Sequence, residues 1–280
     1  MSIETITSSA IIRKILSRFN ITTIECNEEG LKKIYQAWCR NIPFDNFWKR
    51  LELEKTPFIS KDQIDPSAFF EAWLEHGVGG TCWTTTNALQ YLLEELGFQT
   101  KIVGGSMGDM GMVNHGSLIV TTNNGKEFIV DTSISNETPI ELTPKTIDNA
   151  PHSIQLMDEG EKRSIFFEFP SKKDLMKCAI YNNTFSTEDL YNAHKESYTN
   201  SLFNDCVYIK KNNEFGINTI IGDTLYTKTK NNVKKVTLNR EEIKTVLLDT
   251  MGLSQELIDH IEKTTLFNLP EESNLISLTS

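Results

Sequence analysis

Apolar residues return every three or four positions through the first third of the chain, the period of an amphipathic helix. Ile11, Ile12, Ile15, Leu16 and Phe19 form one stripe, behind a serine cap at Ser8 or Ser9. Leu31, Ile34, Tyr35 and Trp38 form the next, with Asn27 as N-cap, Glu28 and Glu29 in the favourable first turn, and Pro43 as the stop. Asp65-Pro66 joins a cap to a proline at the first helical position; Phe69, Phe70, Trp73 and Leu74 follow, and Gly77 closes the run. A fourth helix extends from Thr81 through Leu89, Leu92, Leu93 and Leu96, with Gly97 as its C-cap. Beyond Gly97 the period shortens. Residues 100–103, 117–122 and 128–134 are brief and rich in β-branched side chains, and 164–169, 207–210 and 235–238 continue the strand pattern. Helix returns over 240–251 on Ile243, Val246, Leu247 and Leu248. Helices followed by strands, without βαβ alternation, predict an α+β fold.

Composition narrows the function classes. At 280 residues the chain is long enough for about two compact units. Its 39% hydrophobic and 24% charged residues exclude a disordered tail or a fibrous chain. The formal net charge of −10 argues against a nucleic-acid partner. The densest run of lysines, from Lys210 to Lys235, is interspersed with Asn and Thr and predicts a solvated face. No apolar run is long enough to span a membrane, and the start Met1-Ser2-Ile3-Glu4 lacks a signal-peptide pattern, so a cytoplasmic protein is expected. Five cysteines without any Cys-x-x-Cys or His-Glu-x-x-His spacing predict reduced thiols and no metal site. Gly104-Gly105-Ser106-Met107-Gly108 is no dinucleotide fingerprint, since no helix pattern follows; it reads as a loop over the site.

One cysteine stands apart. Gly79-Gly80-Thr81-Cys82 places a thiol where a glycine turn meets the first turn of a helix. Free N–H groups and partial positive charge there favour a thiolate and can cradle an oxyanion. The plain alternative is a buried free cysteine after a helix-linking turn. A nucleophile needs a base and an orienting group. His76 sits at a helix C-terminus, where histidine is a routine choice, whereas His115 enters a hairpin whose loop is Asn123-Asn124-Gly125. A three-residue loop ending in glycine implies a type I turn with a G1 bulge. That register sets Thr122 opposite Lys126, Ser117 opposite Asp131 and His115 opposite Ser133, so His115 and Asp131 are diagonal neighbours on one face. A two-residue Asn-Gly turn would send them to opposite faces.

These residues carry a family resemblance. Val78-Gly79-Gly80-Thr81-Cys82-Trp83, followed by Leu96-Gly97-Phe98, resembles the arylamine N-acetyltransferases. Ile42-Pro43-Phe44-Asp45-Asn46 is similar to that family's Ile-Pro-Phe-Glu-Asn segment. His115 and Val130-Asp131 fall where its catalytic histidine and aspartate would stand, and Pro139-Ile140-Glu141-Leu142 resembles the next segment. The tail from Ile209, through Leu225 and 238–253, is similar more weakly. The resemblance implies a helical domain over 1–97 carrying the nucleophile, a β-barrel over 98–200 carrying His and Asp, and an α/β lid over 201–280. It further implies a Cys82-His115-Asp131 triad and ping-pong acetyl transfer from acetyl-CoA to an arylamine, hydrazine or hydroxylamine, with no permanently bound cofactor. Phe44 and Trp83 would line the acceptor pocket, with Gly116 and Ser117 as further substrate-binding candidates. The partners implied are a small aromatic amine or hydrazine and a CoA thioester, with the chain as monomer or homodimer.

The chain departs from the family pattern outside the triad. Val78 stands for the family's Arg, Thr84 for its Glu and Thr86 for its Asn. Joint loss of an Arg and a Glu resembles removal of one ion pair, which avoids stranding a buried charge. Thr132-Ser133-Ile134-Ser135 lacks the glycine that follows the family's aspartate, and His115 comes only 33 residues after Cys82. The same triad would also serve a cysteine amidohydrolase or transglutaminase-like enzyme, and the fold alone would serve a silent small-ligand-binding homologue.

Overall fold

The computed structural model describes residues 9–54, 62, 64–148, 153–199 and 206–263. Helices α1 (Ala10–Arg18) and α2 (Glu28–Asn41) open the chain, and Asn27 caps α2 by accepting from the Gly30 N–H. Ser9 is the residue before α1; Ser8 lies outside the described residues. A two-residue strand β1 (Phe44–Asp45) leads into α3 (Phe47–Leu53), an element the periodicity did not predict. Helix α4 (Pro66–His76) starts at the Asp65 cap and ends at Gly77, whose φ of 73° closes it. Helix α5 (Cys82–Glu95) follows, with Thr81 at its N-cap and Cys82 as its first residue. The buried faces of these helices share one apolar core, in which Trp38, Phe69, Phe70 and Trp73 meet edge-on or stacked.

The middle of the chain builds an eight-stranded antiparallel sheet from β2 (Gln99–Met107), β3 (His115–Thr121), β4 (Glu127–Val130), β5 (Ile140–Glu141), β6 (Lys145–Asp148), β7 (Ser153–Asp158), β8 (Lys162–Phe167) and β9 (Met176–Thr184). Their order is β5-β4-β3-β2-β9-β8-β7-β6. Val103, Ile119, Ile129, Ile140, Ile154, Ile165 and Ile180 fill one interior cluster although they come from opposite ends of that order, so the sheet is rolled into a barrel-like body. Its other face, with Ile102, Leu118, Val120, Phe128 and Val130, packs on the helical core.

Glycines 104 and 105 lie inside β2, not in a loop as their sequence suggests; only Gly108 turns, at φ 80°. The reason is close packing. A Cβ on Gly104 would meet the Phe185 ring at 2.4 Å, and one on Gly105 the Ala179 carbonyl at 2.8 Å, where the β2–β9 register shifts.

Helix α6 (Thr187–Ser197) begins at a Ser186–Asp189 capping box. Strands β10 (Tyr208–Asn213), β11 (Gly216–Ile221), β12 (Thr224–Thr229) and β13 (Val233–Thr237) form a second antiparallel sheet, which β1 joins at its edge. The expected single helix over 240–251 is α7 (Arg240–Thr245) continuing as a π-helical turn over Val246–Met251, and α8 (Gln255–Ile261) follows. In that wider turn Leu247 and Met251 are buried while Leu248 is exposed. Lysines 210 and 228 are buried, against the expectation of a solvated face. The alternation of β10 and β12 turns them inward, toward carbonyls near Asp131 and toward Glu168. Among the described residues no helix is long and apolar enough to cross a membrane.

Candidate active site

The Pro-Phe-Asp-Asn segment builds the seat of the thiol. Phe44 bridges Gly80, the Asp45 N–H donates to the Gly80 carbonyl, and the Asp45 carboxylate accepts from the Gly79 N–H at 2.6 Å and the Phe47 N–H at 3.0 Å. Gly79 is obligatory, because a Cβ there would sit 1.8 Å from the Pro43 carbonyl oxygen. Asn46 binds the second sheet through the Cys206 carbonyl and the Tyr208 N–H. Cys82 thus emerges at the head of α5, 8% exposed, with its sulfur 4.0 Å from the carbonyl of Asn114, the residue before His115. Lys49, buried on α3, donates to the Ser197 carbonyl and stands in electrostatic reach of Cys82. Burial lowers its ammonium pKa to about 8.

The hairpin register is the three-residue-loop register. Gly125 holds φ 80°, the Thr122 N–H donates to the Lys126 carbonyl, and Leu118 faces Val130. His115, Ser117 and Asp131 therefore share one face. Nε2 of His115 lies 2.7 Å from Oδ2 of Asp131, with both side chains essentially inaccessible. The Ser117 hydroxyl also donates to that carboxylate oxygen, and Oδ1 accepts from the Ser133 and Ile134 N–H groups. Burial opposes the charged imidazole, but the Asp131 carboxylate outweighs it and holds the His115 pKa well above the ordinary range. Burial likewise opposes the Asp131 anion, and His115 outweighs it, so that carboxyl is held below its usual range. Cys178, on β9, brings its sulfur into the same group; donor atoms of Cys178, His115 and Asp131 all lie within 4.8 Å of one another.

The departures from the family pattern acquire physical reasons here. Thr86 donates to the Gly116 carbonyl at 3.1 Å, and the Thr85 hydroxyl meets that of Thr132 at 2.7 Å, so successive residues of α5 grip the His115 strand and the Asp131 turn. Val78 is buried in the helical core, consistent with loss of a charge at that position. Ser135 adopts φ 56°, the left-handed conformation that glycine would supply. Its neighbours are held by side chains that no local pattern flags. Tyr35 donates to the Asp131 carbonyl at 2.7 Å; Arg40, Gln36 and Asn212 converge on Glu137; Lys210 donates to the Ser133 and Ile134 carbonyls. These contacts span 75 to 101 residues of sequence, and only the fold reveals them.

Phe44, Cys82, Trp83 and Tyr208 form a separate apolar cluster, extended by Phe169, Phe185 and Ala193. Phe44 meets Tyr208 edge-on at 5.9 Å, and Trp83 stacks on Phe185 at 5.6 Å. Gly116 lies beneath Trp83, whose ring would be 2.8 Å from a Cβ at that position. Ser117 is fully buried and directs its hydroxyl to Asp131.

A sequence profile of the N-acetyltransferase family matches residues 28–259. The mouse protein arylamine N-acetyltransferase 2 is 26% identical over 273 residues, covering 85% of this chain and 91% of the relative. Among solved structures, a Bacillus cereus arylamine N-acetyltransferase with a Cys-His-Glu triad superposes with a TM-score of 0.73 at 20% identity, covering 88% of this chain and 99% of that one. A Mycobacterium marinum arylamine N-acetyltransferase in complex with CoA superposes at 0.77 with 17% identity, covering 89% and 97%. At these identities the structural likeness concerns the fold.

Proposed function

This chain belongs to the arylamine N-acetyltransferase family, and we propose on that premise that it transfers an acetyl group from acetyl-CoA to the nitrogen of an arylamine or hydrazine, with Cys82, His115 and Asp131 as its catalytic triad. The observation that carries the residue assignment is the buried 2.7 Å His115–Asp131 contact, with the one thiol of the five that heads a helix behind a glycine turn lying 4.0 Å from the carbonyl of Asn114, the residue before His115.

The chemistry follows from the groups present. Asp131 fixes the imidazole and favours its protonated form, which stabilises the Cys82 thiolate as an ion pair. The thiolate attacks the thioester carbonyl, and the free N–H groups at the head of α5 donate to the developing oxyanion. The carbon–sulfur bond to CoA breaks, and the departing thiolate takes the His115 proton. An amine then attacks the acetyl-cysteine, gives its proton to His115, and restores the thiolate.

Phe44, Trp83, Phe185 and Tyr208 supply aromatic faces around the sulfur, which suits a planar acceptor. Five free thiols and ordinary soluble composition fit a cytoplasmic setting. Initial rates with acetyl-CoA and an arylamine varied together test the scheme. Parallel double-reciprocal lines are expected; intersecting lines would mean that both substrates must be bound at once, without an acetyl-enzyme.

A further inference from the structure

Cys178 is one of three buried thiols that acyl transfer leaves unused, with Cys39 and Cys206. It lies on β9 opposite Met107 of β2 and Ile165 of β8, and its side chain points into the barrel interior with Val103, Ile119 and Ile180. An apolar residue would suit that cluster. The thiol instead stands against two ionisable groups, and its sulfur, a ring nitrogen of His115 and a carboxylate oxygen of Asp131 all lie within 4.8 Å of one another. All three residues are fully buried or nearly so, at 0%, 2% and 0% exposure.

We propose that Cys178, His115 and Asp131 form a binding site for a thiophilic divalent cation of the zinc class. Thiolate, imidazole and carboxylate are the donors such ions take, at about 2.0–2.3 Å. Tetrahedral geometry at those lengths separates donors by roughly 3.3–3.7 Å, so the His115–Asp131 contact at 2.7 Å opens by under about one ångström and the sulfur, within 4.8 Å of both, closes by no more than about that. The charges also balance. A thiolate and a carboxylate together neutralise a divalent cation, which a buried site requires. Hard cations are excluded, because calcium takes six or more oxygens and magnesium keeps an octahedral shell rich in water.

Binding replaces the S–H bond of Cys178 with a sulfur–metal bond and releases one proton to solvent, with no redox change. Burial keeps that thiol protonated, so affinity rises with pH. A bound ion immobilises the imidazole and occupies its aspartate. The site stands on the three side chains alone; only the accompanying loss of transferase activity rests on the assignment of His115 as the base.

Isothermal titration of the full-length reduced protein with zinc chloride tests the proposal in wild type, Cys82→Ser, Cys178→Ser and Cys178→Val. One equivalent is expected in wild type and in Cys82→Ser, with affinity lower by on the order of 100-fold in both Cys178 variants. Cobalt substitution gives a spectroscopic check, since a thiolate-to-cobalt charge-transfer band should appear in Cys82→Ser and vanish in Cys178→Val. Circular dichroism establishes that each variant is folded, and the valine variant fills the apolar position should serine unfold it. Unchanged zinc affinity in the Cys178 variants would overturn the proposal, as would binding that disappears with Cys82→Ser or no binding at all. Each readout is independent of acetyl transfer, so failure of the catalytic reading leaves the metal result interpretable.

Discussion

Asp45 accepts hydrogen bonds from two backbone N–H groups, Gly79 and Phe47, inside a fully buried turn. Burial raises its carboxyl pKa to about 7, the two bonds opposing the shift only partly. Between the ordinary carboxylate range and pH 7 the native state therefore holds a proton that the unfolded chain has lost. Stability from this group is fully present below about pH 4 and falls as pH rises toward 7. Asp45→Asn removes that titration. Its amide nitrogen faces one of the two donors, so the variant is less stable at low pH, but the gap to wild type should narrow by up to about 4 kcal/mol between pH 4 and pH 7.5. Chemical denaturation across that range checks it; a pH-independent gap would show that Asp45 is ionised throughout. At this scale the sequence is explicit about Cys82, His115 and Asp131, because residue type, glycine turn and hairpin spacing each mark them. It is silent on Lys49, Cys178 and Lys210, whose meaning depends on what the fold places beside them.

Helix α5 and the β3–β4 hairpin act as a unit through hydroxyls. Thr86 binds the Gly116 carbonyl, and Thr85 binds Thr132, so the helix bearing the thiol is tied to the strand bearing His115 and to the turn bearing Asp131. Thr86→Val removes the hydrogen bond to the buried Gly116 carbonyl and should cost about 0.5–1.5 kcal/mol of unfolding free energy. Equilibrium denaturation measures it, and an unchanged midpoint would mean that the bond contributes nothing. Helices α1, α2, α4 and α5 were readable from their dense apolar stripes, with side-chain caps at Asn27 and Asp65 marking the starts of α2 and α4. The hairpin register was readable because the Asn-Asn-Gly loop admits one bulged turn with glycine at positive φ. Helix α6 escaped because it buries only Leu190 and His194; its Ser186–Asp189 capping box was the available signal. Helix α3 escaped because it buries Lys49 with Phe47, Trp48 and Leu51, which blurs the polar face. Glycines 104 and 105 misled because tight packing inside a strand leaves the same mark in sequence as a loop.

The whole molecule converges on the turn after Asp131. The second sheet, nearly eighty residues away in sequence, sends Lys210 to the Ser133 and Ile134 carbonyls, with its ammonium 5.9 Å from the Phe44 ring centroid. Burial lowers that ammonium pKa to about 8, while the Asp131 charge works to raise it. Loss of this cation frees the turn and removes a charge that supports the aspartate anion. Lys210→Met should lower the rate of Cys82 acetylation at pH 7 by on the order of tenfold, or about 1.4 kcal/mol of barrier. Lys228→Met, equally buried on the same sheet but paired with Glu168, should leave that rate unchanged. Equal losses in both variants would point to general damage to the sheet. Long-range ties of this kind leave no local periodicity, which is why the architecture was legible in the sequence and its internal bracing was not.

In this scheme Cys82 carries the acetyl group. Intact-protein mass spectrometry after brief incubation with acetyl-CoA, without acceptor, tests it directly in wild type and Cys82→Ala. Wild type is expected to gain one acetyl group and to discharge it when an arylamine is added, and the variant to gain none. Equal acetylation of both proteins, or none in wild type while the thiol still reacts with iodoacetamide, would contradict it.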